Sequence, residues 1–126
     1  MIEIASLVLF TGDFEGTAAF YRALGLPLID EDHGDGPRHL AIELGPVHFA
    51  VYAADGSEGL APGWREPGSS FPGFYVDSLD DTVAQLTKSG APILVHHQVR
   101  PWACRVVAED PDGRPIEINQ RNHCPT

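Results

Sequence analysis

The chain is poor in cationic side chains: eight Lys and Arg stand against eighteen Asp and Glu in 126 residues, a formal net charge of −10. So little positive charge leaves no electrostatic footprint for a phosphate backbone, which argues against nucleic acid as a partner. A small cation is better matched, although an acidic balance also simply keeps a surface solvated. Cysteine is nearly absent. Cys104 and Cys124 have no CxxC spacing, which argues against a zinc knuckle or a disulfide scaffold, and a reduced, cytoplasmic protein is expected. No apolar run approaches 18 residues, so no membrane-spanning helix is expected. The opening MIEIASLVLFTGDFEG has neither the basic flank nor the small-residue cleavage site of a signal peptide. A phosphate-cradling GxxxxGK[ST] loop is missing, and no Ser-His-Asp or Cys-His arrangement can be placed by spacing. Length points to one domain with a core large enough to fold without staples.

What is present repeats itself. SLVLFTGDFEGTAAFYRALGLPLI (6–29) lies over FPGFYVDSLDDTVAQLTKSGAPIL (71–94), a shift of 65 residues. Each copy opens on an alternating strand and then a helix cap, Asp13 in one and Ser78 in the other. Ser78 with Asp81 resembles a capping box. Phe14, Ala18 and Tyr21, like Leu79, Val83 and Leu86, follow the i, i+4, i+7 spacing of a helix stripe laid on a sheet. Gly25 and Gly90 suit the left-handed turn that ends a helix, and Pro27 and Pro92 forbid its continuation. Two further strands follow in each copy: HLAIEL (39–44) matches RVVAED (105–110), and VHFAVY (47–52) matches RPIEINQ (114–120). The expected architecture is α+β. Two βαβββ modules, about 1–53 and 71–120, are joined by a Gly-, Pro- and Ser-rich linker (54–70). Neither could bury its sheet alone, so a curved eight-stranded mixed sheet with the helices on its outer face is expected.

This duplicated order, the DFEGTAAFYRALGLPL segment and the closing DPDGRPIEI resemble the vicinal oxygen chelate superfamily, the glyoxalase, bleomycin-resistance and extradiol-dioxygenase group. The resemblance runs from about Ile4 to Gln120. It implies a divalent-metal site in the metal-dependent members, with up to four ligands, two from the first strands of the modules and two from the last. Glu117 matches a last-strand position. The first-strand positions fall on Ser6 and Phe71, and the remaining one on Phe49 or Ala50. A lone carboxylate does not hold a transition metal against water, so no metal and no other cofactor are expected. Alternation places His39, Glu43, His48 and Tyr52 on one strand face as a substitute set. His48 lies nearest the missing ligand, but a displacement of two residues is about 7 Å along a strand.

The resemblance also implies a ligand cleft on the concave face. Phe10, His48, Tyr52, Phe71, Tyr75, Trp102, Arg105 and Glu117 are the candidate ligand-binding residues, since such rings offer apolar area with a polar handle. The function expected is metal-independent binding of a small aromatic or cationic compound, as in the bleomycin-resistance branch. The alternative is a glyoxalase-, lyase- or dioxygenase-like enzyme in which Glu117 serves as base or as part of a non-standard metal site, with Arg105 or His48 as electrostatic partner. Glu117 decides much, because a half-buried carboxylate needs a counter-charge or a proton. Pairing with Arg105 across the DPDG turn would make it structural, and without that pairing it is open to a ligand. His96 and His97, adjacent on a strand, should point to opposite faces. Cys104 is expected to be a packed thiol. Strand edges and apolar walls that a second copy would cover point to a homodimer, side by side or with exchanged halves.

Overall fold

In the computed structural model the described residues are 4–31, 38–54, 70, 72–99 and 103–121. Phe71, Trp102, Cys124 and residues 55–69 of the expected linker lie outside them. The strand–helix–three-strand order occurs twice. The first pass is β1 (Ser6–Thr11), α1 (Phe14–Leu24), β2 (Ile29–Glu31), β3 (His39–Leu44) and β4 (Val47–Ala53). The second is β5 (Gly73–Tyr75), α2 (Leu79–Lys88), β6 (Ile93–Val99), β7 (Ala103–Glu109) and β8 (Pro115–Arg121). Among the described residues, hydrogen bonding distributes the eight strands over two sheets of four, ordered β1-β4-β3-β2 and β5-β8-β7-β6. The eight strands of the expected α+β fold are thus hydrogen-bonded as two four-stranded ladders. Both sheets are mixed: β1 runs parallel to β4 and β5 to β8, and the other pairings are antiparallel.

The caps read from sequence are made. Asp13 Oδ1 accepts the Gly16 N–H at 3.0 Å, and Ser78 Oγ accepts the Asp81 N–H at 3.2 Å, satisfying amides that a helix leaves open. Gln120, on β8, adds a tertiary cap to α2 by accepting the Leu79 N–H at 2.7 Å. Gly25 (φ 120°) and Gly90 (φ 87°) end the helices in backbone conformations that a side chain would strain. In the first unit Ala18 and Tyr21 are buried, and the Tyr21 ring centre lies 5.3 Å from that of Phe49. Register sets Leu7 beside Phe49 and Leu9 beside Val51, so these residues make the α1 side of the sheet. In the second unit α2 packs on β7 and β8, and Leu79, Leu86, Ile116 and Ile118 are completely or almost completely buried. Each such side chain contributes about 1.5–3 kcal/mol.

Two expectations change. Cys104 is fully buried but disulfide-bonded rather than a free packed thiol. The sequence holds one other cysteine, Cys124. Sequence spacing says nothing about which cysteines meet in space, and the argument for a reducing compartment loses its premise. His96 and His97 are both exposed, because the β6–β7 register shifts between Val95 and Gln98 and breaks the alternation.

The β7–β8 turn is held by a buried charge. The Asp110 side chain is 0 % exposed. Its Oδ1 accepts the Asp112 N–H at 3.0 Å and the Arg114 N–H at 2.9 Å, and its Oδ2 accepts from Arg114 Nη1. Removing it would take the acceptor from two amides and the nearer carboxylate from a largely buried guanidinium. Asp110→Ala is therefore expected to cost about 3 kcal/mol, read from the urea unfolding midpoint, with Asp110→Asn milder. A loss below about 1 kcal/mol for the alanine variant would show that the turn is held by something else.

Candidate functional site

On β8, Ile116, Ile118 and Gln120 face α2, so Glu117, Asn119 and Arg121 face the other way. Register then assembles that second face. Gly73, Glu117 and Val107 form one row. Tyr75, Asn119, Arg105 and Gln98 form the next. Arg105 reaches diagonally and donates through Nη1 to Glu117 Oε2, and its Nε donates to Gln98 Oε1 at 2.9 Å. Asn119 Nδ2 donates to the other Glu117 oxygen at 2.7 Å and to the Phe74 carbonyl at 3.4 Å. Both carboxylate oxygens thus have protein donors, at side-chain exposures of 30 % for Glu117 and 22 % for Arg105. Gly73 stands beside this carboxylate without a side chain; a Cβ there would lie 3.4 Å from Oε1.

The first unit repeats the geometry with other chemistry. Phe10, Tyr52, His39 and Glu31 form one row across β1, β4, β3 and β2. The His39 and Tyr52 rings stack at 4.3 Å with 5° between their planes, and Phe10 lies 6.0 Å from Tyr52. His39, itself buried, donates from Nε2 to Glu31 Oε2 at 2.8 Å. Ser6, His48 and Glu43 form a separate row, in which His48 Nδ1 donates to Glu43. The substitute metal set is thereby split. His39 and Tyr52 lie four residues along the strands from Glu43 and His48, about 13 Å away.

The strand registers also settle the open alignment. Val8 beside Ala50 in the first unit corresponds to Gly73 beside Glu117 in the second, so the counterpart of Glu117 is Ala50, which has no donor atom. Ser6 supplies only a hydroxyl, and phenylalanine at position 71 has no donor atom by its chemistry. Among the described residues no three His, Cys, Asp or Glu side chains converge. A dication at Glu117 would also stand against the Arg105 guanidinium. These residues do not fit a divalent metal.

Residues 3–118 match a family model, that of the Glyoxalase/Bleomycin resistance protein/Dioxygenase superfamily. The chain belongs to that superfamily. Solved structures from the superfamily's range share the fold. A glyoxalase/bleomycin resistance protein/dioxygenase family enzyme from Burkholderia phytofirmans superposes at a TM-score of 0.75 with 18% identity, covering 96% of this chain and 100% of that one. An antibiotic binding protein from a Streptomyces species gives 0.73 with 21% identity, covering 97% and 98%. A lactoylglutathione lyase from Agrobacterium tumefaciens gives 0.65 with 20% identity, covering 94% and 92%. At these identities the likeness shows the fold alone. No curated protein matches the chain in sequence.

Of the sequence-predicted site residues, the structure brings Phe10 and Tyr52 into one row and Tyr75, Arg105 and Glu117 into neighbouring rows of the other sheet. His48 stands apart with Glu43. Sequence reasoning missed His39 as a ring on the Phe10–Tyr52 row, and it missed Asn119 and Gln98 entirely. Alternation from Glu117 would have put Asn119 on the same face. Gln98 carries no such signal, since a bulge sets its register. If Arg105 and Glu117 act as a pair, Glu117→Gln and Arg105→Gln should each lower stability by about 1–2 kcal/mol, less than for a fully buried pair. The double variant should lose less than the sum, and strict additivity in urea unfolding would refute the coupling.

Proposed function

We propose that this member of the superfamily binds a small aromatic compound without a metal, on the sheet faces opposite its helices. The observation that carries the reading is the state of Glu117: the one carboxylate at an expected ligand position is held by Arg105 and Asn119. That pairing meets the condition for a structural role and removes the main reason to expect a cationic ligand. The rings on these faces supply the ligand class, with Phe10, Tyr52 and His39 in one unit and Tyr75, 55 % exposed, in the other. The antibiotic-binding Streptomyces neighbour supports binding as a use of this fold, and the lyase neighbour supports catalysis equally, so the fold does not choose.

The reading also includes a homodimer. Among the described residues β1 pairs with β4 alone, and the apolar Ile4 and Val8 are 70 % and 39 % exposed. Light scattering at micromolar concentration is expected to give twice the chain mass, and a monomer mass would count against it.

The central test uses 2-naphthamide, a neutral flat probe. Calorimetry should show the same affinity before and after chelator treatment, and Tyr75→Ala should weaken it about tenfold. Near-stoichiometric Zn, Ni, Fe or Mn by elemental analysis, lost in Glu117→Ala, would overturn the metal-free reading.

A further inference from the structure

The second unit holds an arginine that the acidic chain leaves without a carboxylate. Among the described residues, Arg38, Arg105 and Arg114 are paired with carboxylates and Arg22 donates to the Leu28 carbonyl. Arg121 has neither. Its guanidinium carbon lies 3.7 Å from the centre of the Tyr75 ring, over the ring face, a cation–π contact. That contact uses none of the N–H donors that a planar anion would take.

A second guanidinium stands beside it. Arg105 is opposite Asn119, and Arg121 is two residues further along β8, opposite Ala103. Such diagonal positions are about 7–8 Å apart at the backbone, within the span of two long side chains meeting one carboxylate. Arg105 uses Nε for Gln98 and Nη1 for Glu117, and its Nη2 has no acceptor among the described residues. Glu109 shares this face but lies four residues from Arg105 along β7, about 13 Å away. The repeat sharpens the contrast: where the first unit's row ends in His39 and the acid Glu31, this one ends in Arg105 and the neutral Gln98. The first row therefore carries its own negative charge, whereas here Glu117 answers only one of two guanidiniums.

We propose that Arg121, seated on Tyr75, forms with Arg105 a subsite for an oxyanion borne on an aromatic ring, so that the ligand is a flat aromatic carboxylate or phenolate rather than a cation. This rests on the reading of aromatic binding and adds the charge of the bound group. The test compares 2-naphthoate, 2-naphthamide and 2-naphthamidine by calorimetry on the full chain. Naphthoate should bind at least about tenfold more tightly than the amide, with the amidine weakest. Arg121→Gln, at an exposed position, should erase the naphthoate preference. Arg121→Lys, which keeps the charge but not the planar fork, should retain part of it. Equal binding of the three probes, preference for the amidine, or a naphthoate preference that survives Arg121→Gln would overturn the subsite while leaving aromatic binding intact. Failure of all three to bind would remove both.

Discussion

A carboxylate on a half-covered sheet face must find positive charge or hydrogen-bond donors, and the pairing of Glu117 with Arg105 is how this chain answers that requirement. The rest of the second unit's exposed face is organised by it. Arg105 is drawn diagonally across β7 and β8, Gln98 is recruited to its Nε, and Asn119 closes the other side of the carboxylate. The same interaction limits the chemistry. A guanidinium beside the carboxylate disfavours a dication there.

The internal duplication separates what the fold needs from what the sites use. Helix stripes, caps and terminal glycines are preserved between the units, because each helix must bury one face on its own sheet and end where the next strand begins. The rows on the opposite faces have diverged at equivalent positions: Phe10 and Tyr75, Tyr52 and Asn119, His39 and Arg105, Glu31 and Gln98, Ala50 and Glu117. Packing on the helix side constrains shape and hydrophobicity. The other side tolerates any set of polar groups that satisfies itself, so one scaffold carries an aromatic, acidic row in one unit and a row of one arginine between neutral amides in the other. Such divergence is why family membership alone leaves the ligand open.

The sequence by itself determined the two modules, the order of their elements, both helix caps and, where alternation is unbroken, the side of a strand that faces its helix. These follow from neighbours a few residues apart, through 3.6- and 2-residue periods and the backbone demands of Gly, Pro, Asp and Ser. It also placed Arg105 and Glu117 within reach of each other, because a short hairpin joins their strands. Only the tertiary structure decided the rest: that the ladder is two sheets of four, that Ala50 is the counterpart of Glu117, that Cys104 is bonded, that Gln98 meets Arg105 past a bulge, and that Arg121 lies on Tyr75. Each depends on the parallel or bulged register between strands distant in sequence. A shift of one residue there turns a side chain to the opposite face, and no local pattern encodes it.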